Sequence, residues 1–245
     1  MTRAPLAAAL AAVALAACQP QAGADDAAFG RRVRAYLLAH PEVLQEASQK
    51  LDAKMAAKDA ADLKAAQAKL PSVRQALEHD PRDFVANPSG WVTVTEFYDY
   101  RCPHCIDAAP QVVALIRRHP EVRFVFKEMP IFGPISQHAA RAALAVKAAG
   151  GDYVGLYQAL MATPALDDAT IDRLASARGA RAADLGPNAA AGAVAQIARN
   201  DALFNELDLG GTPAFVVGDQ IILGDDMTAL GAAVDRARAA SRHPV

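Results

Sequence analysis

Cysteine is scarce in this sequence: 245 residues contain three, Cys18, Cys102 and Cys105. A structural zinc site asks for four Cys or His ligands at regular spacing, and two cysteines plus one in an N-terminal targeting stretch do not supply them. A C-x-x-C-H haem attachment is excluded because Ile106 follows Cys105. No His or Met cluster accompanies the cysteines, so neither a metal site nor a cofactor is expected. An excess of charge of one sign is also missing. With 25 Lys and Arg against 27 Asp and Glu, and no basic cluster, the chain has no electrostatic footprint for nucleic acid or an anionic membrane surface. Glycine is absent between Gly30 and residue 70, which leaves that stretch to helix.

What is present centres on Cys102-Pro103-His104-Cys105, at the end of residues 91–105 (WVTVTEFYDYRCPHC). The run reads as a buried strand followed by a helix start. Cysteines at i and i+3 on a first helical turn share a face roughly 5–6 Å apart, so a disulfide can open and close in place. The first cysteine meets unpaired backbone N–H groups and the positive end of the helix dipole, which favour its thiolate. Pro103 suits the first helical position, and His104 adds a donor or a positive charge. A structural disulfide closing so small a loop would constrain the unfolded chain very little. The pair therefore points to redox chemistry, with a metal carrier holding copper or zinc on the same two cysteines as the rival reading.

The chain opens with Arg3, an apolar run over residues 6–17 and nothing long enough to span a bilayer, as a secretory signal does. Two cleavage points compete: Leu15-Ala16-Ala17-Cys18 has the form of a bacterial lipobox, with Cys18 lipidated, and Ala22-Gly23-Ala24 is an A-x-A site, making residues 1–24 the signal. Either implies export to an oxidising compartment, the periplasm, with or without a lipid anchor.

Residues 25–70 form a helical segment in two pieces divided at His40-Pro41. Phe29, Val33 and Leu37 mark one side of the first, and Val43, Leu44, Ala47, Leu51 and Met55 mark the second. Lys58 breaks a strict heptad, so a long regular coiled coil is not expected, but the narrow stripe suits association with another copy of the chain. Residues 71–90, punctuated by Pro71, Pro81 and Asn87-Pro88-Ser89-Gly90, read as a linker with a short helix. From residue 91 the pattern is strand, helix (to about residue 118, through Pro110) and strand (122–129), a βαβ unit that gathers a site at the strand's carboxyl end. Helices follow over 136–149, 152–161, 168–177 and 189–207, within an insertion at about 134–207. A hairpin (214–217 and 220–223 about Gly218-Asp219) and a closing helix (227–240) end the chain. Glu96, buried in the first strand, requires a partner.

Gly210-Gly211-Thr212-Pro213 stands just before the hairpin, where the proline either starts a strand or turns the chain through a cis bond. The combination of CPHC after EFYDYR with GGTPAFVVGD near the end resembles the DsbA-like thiol-disulfide oxidoreductases over residues 91–240. FGRRVRAYLLAHPEVLQEA further resembles their Com1-like and suppressor-of-copper-sensitivity C branch. The resemblance implies an α/β thioredoxin fold with an inserted helical domain, preceded by an N-terminal helical segment that joins subunits in part of that branch. It implies that Cys102 is the exposed attacking cysteine and Cys105 the buried resolving one. Thr212 and Pro213 become the loop that meets a bound client peptide, and Glu96 a buried acid with Lys127 as its partner in a proton relay to Cys105. Client proteins and a membrane redox partner that recharges the disulfide follow from it. The branch mixes signals of direction: threonine before the proline is familiar in isomerases, and Pro-His between the cysteines in strong oxidases.

Overall fold

The computed structural model describes residues 22–185 and 191–242, so residues 1–21 of the expected signal segment, Cys18 among them, and the expected Gly186-Pro187 break lie outside it. The chain divides between Asp59 and Ala60 into two compact units.

In the first unit, α1 (Ala22–Ala39) and the opening of α2 (Glu42–Glu78) follow from alanine-rich sequence, with α1 running through Gly30 in its interior. They meet at His40-Pro41, where the His40 N–H closes the last turn of α1 on the Tyr36 carbonyl at 2.8 Å. Most large apolar residues of this unit are exposed, among them Phe29, Tyr36, Leu38, Leu44, Leu51 and Met55, while Leu37 and Val43 are half-buried. No helix among the described residues is long and apolar enough to cross a membrane.

The second unit is built on a five-stranded mixed sheet ordered β1-β3-β2-β4-β5, comprising β1 (Phe84–Ala86), β2 (Val92–Tyr98), β3 (Val122–Glu128), β4 (Ala214–Val217) and β5 (Gln220–Leu223). β2 and β3 run parallel and the remaining pairs antiparallel. Between β2 and β3 the chain crosses over through α3 (Pro103–Arg118). Then come α4 (Pro134–Ala148), α5 (Tyr153–Met161), α6 (Asp168–Ser176) and α7 (Ala191–Glu206), and α8 (Met227–Arg242) ends the described chain. Alternation along the strands divides the core in two. Val94, Tyr98, Phe124, Phe126 and Phe215 face the apolar sides of α3, α4, α5 and α8. Phe97, Ala214 and Val216 face Leu203 and Phe204 of α7 and Leu207 just after it, together with the end of α2. The expected helical insertion is thus divided between the two faces of the sheet. Gly218 has φ 58°, as the first position of a type II′ hairpin turn requires.

The structure corrects the expected linker. Helix α2 continues through Pro71 to Glu78, and residues 84–86 form an edge strand paired antiparallel with β3. An internal proline costs roughly 3 kcal/mol, whereas Leu70, Val73 and Leu77, all buried in the second cluster, contribute roughly 1.5–3 kcal/mol each. Packing decides the outcome. The sheet also satisfies the helix's last carbonyls: Lys127 Nζ donates to Ala76 O at 2.6 Å, Thr95 Oγ1 to Leu77 O at 3.2 Å, and Arg123 Nη1 to Glu78 O at 2.6 Å. Asn87, at φ 51°, turns the chain back toward β2, and at Gly90 an added Cβ would lie 2.5 Å from the Arg123 backbone nitrogen.

Candidate active site

Parallel pairing of β2 and β3 places the N-terminus of α3 at their carboxyl ends. Cys102 is the residue that caps the helix, with extended φ −72° and ψ 120°, and Pro103 opens it. The Cys102 N–H donates to the Asp99 carbonyl at 3.2 Å, and its own carbonyl accepts from Ile106 N–H at 3.0 Å. Its thiol donates to the Thr212 carbonyl at 3.1 Å. Thr212-Pro213 is a cis peptide, and the Pro213 carbonyl is held by the Gly224 N–H at 2.9 Å.

Contrary to the expected exposure, Cys102 is only 3% accessible, because the Thr212-Pro213 turn lies against its sulfur. Cys105, also a free thiol, is fully buried one turn on.

The two thiols are opposites electrostatically. A hydrogen bond from the Cys105 thiol, supplemented by Thr212 and the backbone N–H groups of Cys105 and His104, holds Cys102 down to about 5 against the opposing effect of burial. The bond to the Thr212 carbonyl needs the thiol proton and is lost on ionisation. The Thr212 hydroxyl, buried and without a partner among the described residues while Cys102 is a thiol, then has an anion to bond. For Cys105 burial comes first and pushes the thiol far above its ordinary range, and the hydrogen bond to Cys102 and the charge of Glu96 push the same way.

Glu96 is fully buried, and its pKa is raised to about 8 by burial, partly offset by a hydrogen bond from Tyr157. Tyr157 O–H donates to Oε1 at 3.3 Å. The expected Glu96–Lys127 pair is not formed. Glu96 lies opposite Phe126 in the ladder, one residue out of phase with Lys127, so the two side chains leave opposite faces of the sheet. Lys127 is bound instead to Asp83 and to Ala76 O, while Gln196 of α7 donates to the other Asp83 oxygen.

Sequence reasoning missed a second buried acid. Glu128 Oε1 accepts from Tyr153 at 2.6 Å, Tyr98 at 2.7 Å and Tyr100 at 3.0 Å, while Oε2 is buried with no partner among the described residues. Burial raises this carboxyl to about 8 despite the three hydroxyls. Its signal was strand parity, since Glu128 shares a face with Phe124 and Phe126. Asp99 was missed too. Its Oδ1 accepts from Arg101 N–H at 2.7 Å and its Oδ2 from Phe132 N–H at 2.9 Å, which ties the loop before Cys102 to the chain leaving β3.

His104 is exposed, with Nδ1 3.2 Å from Asp225 Oδ2. Among the described residues no group of three or more His, Cys, Asp or Glu gathers as metal ligands do. A cleft of about 520 Å³ among Arg82, Arg141, Lys147 and Arg199 contains neither cysteine. The sulfur of Cys102 lies against the Thr212-Pro213 turn.

Comparison with known proteins agrees with this geometry. Residues 93–234 match the family model of the DSBA-like thioredoxin domain, and residues 25–58 match that of the copper resistance protein ScsC N-terminal domain. Among solved structures, a thioredoxin-like oxidoreductase from Silicibacter pomeroyi is 40% identical, covering 68% of this chain and 98% of that one with a TM-score of 0.62. The thiol-disulfide exchange protein alpha-DsbA2 from Wolbachia pipientis is 25% identical over 72% of this chain and 97% of that one, TM-score 0.64. A linker-deletion mutant of Proteus mirabilis ScsC is 25% identical over 91% and 99%, TM-score 0.61. The chain also matches a curated Na(+)/H(+) antiporter NhaA 3 from Salinispora tropica, 40% identical over 75 residues, which is 29% of this chain and spans 12% of that protein's length. With its βαβ unit, its paired cysteines at a helix start and the facing cis-proline turn, the chain belongs to the DSBA-like thioredoxin domain family, a family of thiol-disulfide oxidoreductases.

Proposed function

We propose that the protein is an exported, periplasmic thiol-disulfide oxidoreductase acting on protein clients, with Cys102 as the attacking and Cys105 as the resolving cysteine. The observation that carries this reading is the asymmetry of the pair: Cys102 lowered to about 5 beside the Thr212-Pro213 turn, Cys105 buried and held protonated. In disulfide formation a client thiolate attacks the Cys102 sulfur of the oxidised pair. The Cys102–Cys105 bond breaks, a client–Cys102 bond forms, and Cys105 leaves and takes up a proton. Glu96, which is mostly protonated at neutral pH and whose charge bears on Cys105, is the proposed source of that proton. A second client thiolate then attacks the client sulfur, forming the client disulfide and expelling Cys102 as a stabilised thiolate. Run backwards, the same steps reduce or reshuffle a client disulfide.

Each disulfide donated leaves two thiols behind, so turnover calls for a membrane redox partner that withdraws two electrons. Cys18 is proposed as the lipid anchor. The exposed apolar side chains of residues 25–59 and the ScsC N-terminal match support self-association through that segment. The test is substitution: Cys102→Ser abolishes exchange with glutathione and clients, while Cys105→Ser accumulates mixed disulfides visible on non-reducing gels. Full exchange activity in Cys102→Ser would overturn the assignment.

A further inference from the structure

Asp225 lies 121 residues beyond His104 in the turn between β5 and α8, far outside the cysteine motif. The turn is anchored on both sides. The Gly224 N–H holds the Pro213 carbonyl of the cis-proline turn, and the Met227 N–H donates to the Asp225 carbonyl at 2.8 Å. From this frame the carboxylate reaches across to the active-site helix and meets His104 Nδ1.

We propose that Asp225 is a positioning residue that holds the His104 ring beside Cys102 through its carboxylate, and so sets how the oxidising strength of the cysteine pair changes with pH. This inference rests on the redox assignment of Cys102 and Cys105 made above.

The charged groups bearing on His104 are few. They are Asp225, from the turn after β5, and Cys102 and Asp107, on its own helix; all three favour the imidazolium, Asp225 most strongly. Cys102 bears on His104, two residues along the start of the same helix, so thiolate and imidazolium each favour the other's charge. Reduction creates the thiolate and oxidation removes it, so any net positive charge here favours the reduced protein and makes the disulfide more oxidising.

Removing the carboxylate has opposite consequences at two pH values. At pH 5.5, below the ordinary histidine pKa of about 6.5, His104 is charged without help. Asp225→Asn there removes only the repelling carboxylate, and the disulfide becomes more oxidising than in the wild type. At pH 8 the wild type holds a larger imidazolium fraction than the variant, because Asp225 is the strongest influence raising His104. The attraction is weaker in the variant and the disulfide becomes less oxidising. Because the dyad is exposed and screened, each effect is about two- to fivefold in the equilibrium constant with glutathione.

The experiment equilibrates the full-length wild type, Asp225→Asn, Asp225→Glu and His104→Ala/Asp225→Asn with reduced and oxidised glutathione at pH 5.5 and pH 8, while the His104 ring is titrated by NMR. The expected result is a ratio of variant to wild-type constants that crosses unity between the two values. Asp225→Glu restores wild-type behaviour, and adding Asp225→Asn to His104→Ala, itself measured in parallel, produces no crossing. A ratio displaced in the same direction at both pH values, or an unmoved His104 titration, overturns the proposal, since a merely structural role displaces the equilibrium without inverting it. Failure of the wild type to equilibrate with glutathione at all would instead refute the redox assignment beneath it.

Discussion

Replacing Glu96 with glutamine should stabilise the reduced protein at neutral pH while impairing its turnover. Glu96 is fully buried and its pKa is raised from 4.5 to about 8. Below pH 4.5 the folded and unfolded states both carry the proton, and the group is neutral toward stability. Between 4.5 and 8 only the folded state holds it, so stability declines as pH rises, at about 1.36 kcal/mol per unit, and levels off above 8. At pH 7 the loss is about 3 kcal/mol. Glutamine escapes it but leaves one more buried N–H without an acceptor, which costs about 1–2 kcal/mol. Glu96→Gln is therefore expected to be about 1–2 kcal/mol more stable at pH 7, and at pH 5, where the acid loses little, slightly less stable than the wild type. Glu128 titrates in the same range and its charge adds to the rise at Glu96, so the two carboxyls share part of the pH dependence. Urea unfolding under a thiol reductant at several values between pH 5 and 8 measures this directly. A stability difference that does not vary with pH would refute the buried, protonated carboxyl.

Two further expectations concern neighbouring groups. Lys127→Met leaves the buried Asp83 carboxylate with Gln196 alone and is expected to cost about 3–5 kcal/mol in urea unfolding; adding Asp83→Asn in the same chain should recover most of the loss, and no recovery would mean that the pair is not the cause. Thr212→Val removes the hydroxyl that becomes bonded when Cys102 ionises, so the Cys102 pKa is expected to rise from about 5 by about one unit, read from thiolate absorbance against pH. An unchanged titration would leave Thr212 acting through its carbonyl only.

Much of this site was legible in the sequence because its grammar is local. A strand running into a proline-opened helix places two cysteines without reference to anything distant, and the hairpin after Thr212-Pro213 follows from its glycine. What failed was non-local. Lys127 looked like the partner of Glu96 by charge, but the register that sets Glu96 opposite Phe126 and the lysine on the other face is fixed only in the folded sheet. Pro71 read as an end of helix because the burial that overrides it, by Leu70 and Leu77 against α7, involves residues more than a hundred positions away. Glu128 and Asp225 carry no motif, and their roles exist only once three tyrosines, or one histidine, are folded against them.

Cys102 is ionised well below neutrality and yet scarcely touches solvent. Thiolate character invites peroxides, alkylating agents and stray disulfides, and access determines how fast they arrive. Covering the sulfur with the Thr212-Pro213 turn separates these two quantities. Indiscriminate electrophiles are slowed by the closed approach, and with them the irreversible oxidation that would end the protein's working life. A polypeptide able to displace Thr212 from the sulfur, by offering backbone contacts of its own, gains the full nucleophile at once. Selectivity then resides in who can lift the cover, not in how reactive the atom beneath it is.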